Sequence, residues 1–268
     1  MKILLIVVLS ILMVASLTSC GQVEIDYDPN ESAFDAWYIM NENIRDAGSF
    51  EFSFVELMVL FAGDGDPIEI ENKGVIRKAE QGDGSINMQL SISLSTGGHT
   101  NELDVYYYDE FMFFNFDGSK HKRSSDLDVA LRVMYAEMPD VTLIPIITDG
   151  IGEGNRRGQR EINFVLYSDA EYFDFIMDAI IDSFRLRADI PGATGVEIEI
   201  FGPIAFVVEL GSNHTFVSYT LAFTTDITIV GTEETFRAYY EIVKTAEQIG
   251  DISVKAPQNI YEYVDVTD

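Results

Sequence analysis

Basic residues are scarce in this chain, and cysteine is almost absent. Lys and Arg number 17 against 45 Asp and Glu, a formal charge of −28 over 268 residues. Binding nucleic acid depends on clustered Lys and Arg that neutralise phosphates, so this balance argues against it. It also argues against lying flat on anionic headgroups. With Cys20 as the only thiol, no internal disulfide can form, and packing and hydrogen bonds must hold the fold. The three histidines, His99, His121 and His214, lie far from one another and from Cys20 in sequence. They offer no zinc-ligand spacing, and each reads as a surface residue beside a turn.

Other catalytic signatures are missing too. There is no Gly-x-Ser-x-Gly elbow to present a serine nucleophile. The run Gly150 to Gly154 followed by Arg156-Arg157 lacks the Lys-Ser/Thr of a phosphate loop, and the stretch 149–159 reads as a Gly-rich loop. Gly63-Asp64-Gly65-Asp66 is too short for an EF-hand and reads as an acidic turn. Lys120-His121-Lys122-Arg123, the one basic cluster, reads as a solvated turn. No catalytic residue, metal site or cofactor is assigned.

What the chain does have begins at its amino terminus. Met1-Lys2 is a short positive start, and Ile3 to Val14 is an almost unbroken apolar run. Small residues follow, ending in Leu17-Thr18-Ser19-Cys20. This is the pattern of an export signal, too short for a stable membrane span. Leu17 to Cys20 resembles the lipobox of bacterial lipoproteins. The resemblance implies cleavage between Ser19 and Cys20 and diacylation of the Cys20 thiol. Two acyl chains, at about 0.8 kcal/mol per buried methylene, suffice for stable anchoring. Loss of residues 1–19 with Lys2 would leave about 250 residues carrying about −29.

The mature part is rich in apolar residues, with 18 Phe and 13 Tyr. Residues 20–30 read as a polar, lipidated tether. Asn30-Glu31-Ser32 offers capping residues, and the spacing of Phe34, Trp37, Tyr38 and Ile44 predicts a helix over 32–47, stopped by Gly48. From Phe50 the period changes to two. Phe50, Phe52 and Phe54 alternate with polar residues, as do Ile86, Met88, Leu90, Ile92 and Leu94. Turn clusters between such runs predict an antiparallel meander. A second helix is expected over about 125–137, and a third from Ser168 through an apolar stripe ending at Phe184. Strands are expected again at 161–167, 196–200, 204–210 and 215–230, with a hairpin at Gly211-Ser212-Asn213. Residues 232–245 fit either a helix or a strand. The expected class is α+β: a large curved antiparallel sheet with helices packed on one face, either as one continuous sheet or as two pattern-related halves, 31–148 and 160–268.

Two segments carry a further resemblance. Tyr106-Tyr107-Tyr108-Asp109-Glu110-Phe111-Met112-Phe113 is similar to the tyrosine-rich strand, acidic turn and strand of an uncharacterised Gram-positive (Firmicutes) lipoprotein family. Ile252-Ser253-Val254-Lys255-Ala256-Pro257 is similar to its closing strand before a proline. That family resembles the half-barrel lipoprotein carriers of LolA-like fold. The resemblance implies a curved sheet around an apolar interior, a strand for 232–245, and attachment to the outer face of a cell membrane.

Three functions remain in view. The first is a non-catalytic binding module for an apolar ligand such as a lipid. The second is an acidic surface domain with a filled core that contacts an envelope protein. The third is an enzyme of unknown class.

Overall fold

The computed structural model describes residues 31–61, 66–96, 99–134, 144, 148–156, 158–167, 195–231 and 234–266. The leader, Ser19, Cys20, the tether, residues 63–65 of the acidic turn and the helix expected from Ser168 lie outside them.

Helix α1, Ala33–Ala47, forms where the sequence places capping residues around an apolar stripe. The Ser32 hydroxyl accepts from the Asp35 amide at 3.1 Å, and Gly48 takes the left-handed conformation at φ 66° that ends the helix. Its buried stripe is Ala33, Ala36, Trp37, Met40 and Ile44. Each fully buried large side chain in such a stripe is worth about 1.5–3 kcal/mol. A second, short helix, α2, spans Leu127–Val133, with the Asp126 carboxylate accepting from the Val129 amide at 2.8 Å.

Among the described residues twelve strands form one sheet. In chain order they are β1 Phe50–Phe61, β2 Ile68–Glu80, β3 Ile86–Thr96, β4 His99–Tyr108, β5 Phe111–Phe116, β6 Ser119–Ser124, β7 Thr148–Arg156, β8 Gln159–Leu166, β9 Gly195–Leu210, β10 Phe216–Val230, β11 Glu234–Ile249 and β12 Val264–Asp265. The order across the sheet is β12-β6-β5-β4-β3-β2-β1-β11-β10-β9-β8-β7. Two meanders, β1–β6 and β7–β11, thus join edge to edge where β1 pairs with β11. All neighbours are antiparallel except β12 on β6. The architecture is a large, open, curved antiparallel sheet with α1 on one face, as the alternating pattern implied. Asp109-Glu110 and Asp117-Gly118 close the β4–β5 and β5–β6 hairpins with both residues at positive φ, the backbone that matches strand twist in two-residue turns.

Four local readings change. The Gly-rich stretch expected to be a loop is largely the edge strand β7: Gly150, Gly152 and Gly154 recur with period two, and an edge open to water tolerates their missing side chains. The basic cluster expected as a turn is strand β6, where Lys120 and Lys122 charge the edge of its meander. The two strands expected at 196–200 and 204–210 are one strand, β9, with a register shift opposite Ala222/Thr224 and Gly202 at φ 73°. The segment 252–257 is not a strand: it carries no ladder, and Lys255 and Ala256 stand over the outer face of the sheet at Gln89, Tyr106 and Asn115. For 232–245, Glu234–Ile249 is a strand, because pairing to both β1 and β10 outweighs the residues' helical spacing.

Candidate functional site

The face that carries α1 is the inner face. Direct cross-strand partners share a face, so the pairings give its rows. One row runs Phe52, Ile76, Leu90, Val105; the next runs Phe50, Lys78, Met88, Tyr107, Met112. Under α1 the packing is aromatic. Trp37 meets the Phe206 ring edge-on at 5.3 Å, Phe34 stacks on Phe164 at 5.7 Å, and Phe52 meets Phe216 at 5.3 Å. Among the described residues five methionines are buried in this core: Met40, Met58, Met88, Met112 and Met134. Methionine is unbranched and polarizable, so it adapts to guests that fixed rotamers would exclude. Gly74 lies beneath the Phe54 ring; a Cβ there would come within 2.4 Å of it.

Set into this apolar face are buried polar groups. Glu56 sits at the same parity as Phe54 and Met58 and is 6% exposed. Its carboxylate accepts from the Tyr240 hydroxyl at 2.9 Å and from the Asn72 amide. Asn72 faces it from β2, and Tyr240 comes from β11, opposite Met58. Lys244, also on β11, is 1% exposed, with its ammonium 5.3 Å from the Tyr219 ring centroid and 5.9 Å from that of Phe52. Facing ring π-clouds offset part of the cost of burying that cation. Burial alone pushes the Tyr219 phenol well above its usual range. The indole N–H of Trp37 is buried and finds no acceptor among the described residues. A mostly apolar surface with a few convergent polar groups is the usual chemistry of a small-molecule site.

A second cluster marks where the chain enters the domain. Arg160 on β8 donates to the Glu31 carboxylate at 2.9 Å, to the Glu31 carbonyl at 3.1 Å and to Glu153 at 2.9 Å. His214 is not the plain surface residue its sequence context implied: its Nε2 lies 2.7 Å from the same Glu31 carboxylate. Asn43 of α1 donates to the Asn213 carbonyl at 3.2 Å, so helix, turn and incoming chain are bound together. His99 and His121 are exposed. Among the described residues no three His, Cys, Asp or Glu side chains are grouped to hold a metal.

No protein-family model matches this sequence, and no curated protein is significantly similar to it. Two solved structures share a slight likeness. One is LprF from Mycobacterium bovis, at 9% identity and a TM-score of 0.37, covering 83% of this chain and 97% of that one. The other is a DUF1329 family protein from Desulfovibrio piger, at 10% identity and a TM-score of 0.27, covering 85% of this chain and 96% of that one. Likenesses this slight say nothing about what the chain binds. Among the described residues no helix is long and apolar enough to cross a membrane.

Proposed function

We propose that this chain is a lipid-anchored, extracytoplasmic, non-catalytic binding module whose inner sheet face takes an apolar ligand such as a lipid. The observation that carries this reading is the Glu56–Asn72–Tyr240 group buried among phenylalanines and methionines. A carboxylate in an apolar interior costs several kcal/mol, whereas an all-apolar face of the same shape would be cheaper. A ligand with apolar chains and a polar end offsets that cost: the chains meet the methionine and phenylalanine side chains, and the polar end meets Glu56 and Tyr240. The methionines supply the adaptability such a guest needs.

The anchor rests on Leu17 to Cys20, and Arg160 then holds the domain close to its tether through Glu31. The test is native mass spectrometry of the full chain in detergent micelles, with and without lipids extracted from the expression host. A lipid adduct that survives gentle ionisation and leaves under denaturing conditions supports the reading. Folded protein that carries no adduct at saturating lipid contradicts it. A Cys20→Ser variant separates the anchor from the ligand: it should lose the covalent mass and its membrane partition while keeping the releasable adduct.

A further inference from the structure

The outer face of the sheet carries a separate cleft of about 430 Å³. Its floor is Gln89, Tyr106, Asn115 and Lys120, from β3 to β6. Its wall is the C-terminal segment, through Lys255, Gln258 and Tyr263 among others. That wall is fixed in place. Tyr263 meets the Phe113 ring edge-on at 5.3 Å, Lys120 is ion-paired with Glu262, and β12 runs parallel to β6, with the Val266 amide donating to the Lys122 carbonyl at 2.9 Å.

We propose that this cleft binds a neutral, polyhydroxylated ligand, a carbohydrate of one or two rings. Charge narrows the ligand first. Lys120 and Lys255 stand at the cleft, so a ligand ammonium is disfavoured there. Asp104 lies beside Asn115 in the same cross-strand row, and Glu262 neutralises Lys120, so a strong anion is not favoured either. The remaining groups are amides and phenols. Amides present donors and acceptors side by side, and phenols present both on one atom. Hydroxyls, which donate and accept, are the groups that match such a mixture. Burial and the Asp104 carboxylate raise both the Tyr106 and Tyr263 phenols, so each keeps its proton.

One group is left short. The Asn115 Oδ1 is buried and accepts no hydrogen bond among the described residues. A buried acceptor without a partner costs about 1–3 kcal/mol. The Oδ1 is closed to solvent as the amide stands, so the amide turns about its terminal torsion to bring it to the cleft, where a ligand hydroxyl supplies the missing partner. Lys255 forms no ion pair with another described residue and is exposed at the cleft's wall, able to donate to a ring or hydroxyl oxygen.

Saturation-transfer difference NMR on the full chain in detergent micelles tests this, with glucose, N-acetylglucosamine and glucuronate as probes. The expected result is transfer to one or both neutral sugars at millimolar concentration, with glucuronate weaker. Asn115→Ala removes the unpartnered acceptor, so its thermal midpoint should hold or rise while sugar affinity falls about tenfold. Lys255→Ala, an exposed position, gives a second reading in a variant whose folding is not at risk. Absence of transfer to either neutral sugar overturns the proposal. So does stronger binding of glucuronate, or unchanged affinity in both variants.

Discussion

Replacing Glu56 with Leu probes the polar group at the centre of the inner face. The substitution keeps the volume roughly constant and removes the acceptor of the Tyr240 hydroxyl and the Asn72 amide. Hydrogen bonds to a charged partner are worth about 1.5–3 kcal/mol each, so two lost bonds cost about 3–6 kcal/mol. Against this, Leu relieves the desolvation of a carboxylate that is 6% exposed, worth several kcal/mol in a dry interior. The net expectation is a loss of about 2–3 kcal/mol. Adding Asn72→Leu and Tyr240→Phe removes the stranded donors as well, and the triple variant should return to within about 1 kcal/mol of the parent. The assay is urea unfolding followed by the fluorescence of Trp37, the chain's single tryptophan, which is fully buried. With an m-value of about 3 kcal/mol/M, the single variant should shift the midpoint down by about 1 M. A single variant as stable as the parent, or a triple variant less stable than the single one, would refute the reasoning.

Arg160→Met should cost about 2–4 kcal/mol, because it leaves the Glu31 carboxylate, in a site where only 13% of that side chain is exposed, with His214 as its one remaining partner among the described residues and removes the bond to the Glu31 carbonyl. Urea unfolding of a double-mutant cycle with Glu31→Gln should return a coupling above about 1 kcal/mol, most of it through Glu31, because Glu153 is 41% exposed. Gly74→Ala should destabilise by several kcal/mol, since its Cβ would meet both the Phe54 ring and the Ser91 carbonyl oxygen; thermal unfolding reads this directly. Tyr106, Tyr107, Tyr219, Tyr239 and Tyr263 all have phenols raised above 10 chiefly by burial. The folded state therefore holds protons that the unfolded state releases, so their contribution is complete below pH 10 and falls as pH rises beyond it. The share of phenolate absorbance that these five of the 13 tyrosines contribute should accordingly appear together with unfolding, whereas the full phenolate signal in protein still folded by Trp37 fluorescence would contradict this.

The sequence made the scaffold legible where a period was clean. Ser32, the α1 stripe and Gly48 marked one helix, and Phe50 to Phe54 and Ile86 to Leu94 marked strands by alternation. Glu56 was readable in principle, since it continues the parity of Phe50, Phe52 and Phe54; a carboxylate on the buried side of a strand is itself a signal. Lys244 was not, because its face is defined only once β11 is known to pair with β1 and β10. Glu31 is more than a hundred residues from both Arg160 and His214 in the chain, and nothing local marks their meeting. The outer cleft is hidden for the same reason: its wall is the C-terminal segment, whose expected strand is instead irregular chain beside β3 to β6.

Binding of an apolar ligand by the inner face around Glu56 is the proposal on which the function rests. Native mass spectrometry of the full chain and of the Glu56→Leu/Asn72→Leu/Tyr240→Phe variant, each titrated with extracted lipid, tests it most directly. The expected result is a one-to-one releasable lipid adduct on the parent chain and a loss of affinity of at least about tenfold in the folded variant. A folded parent chain without any adduct, or equal adducts on both proteins, would contradict it.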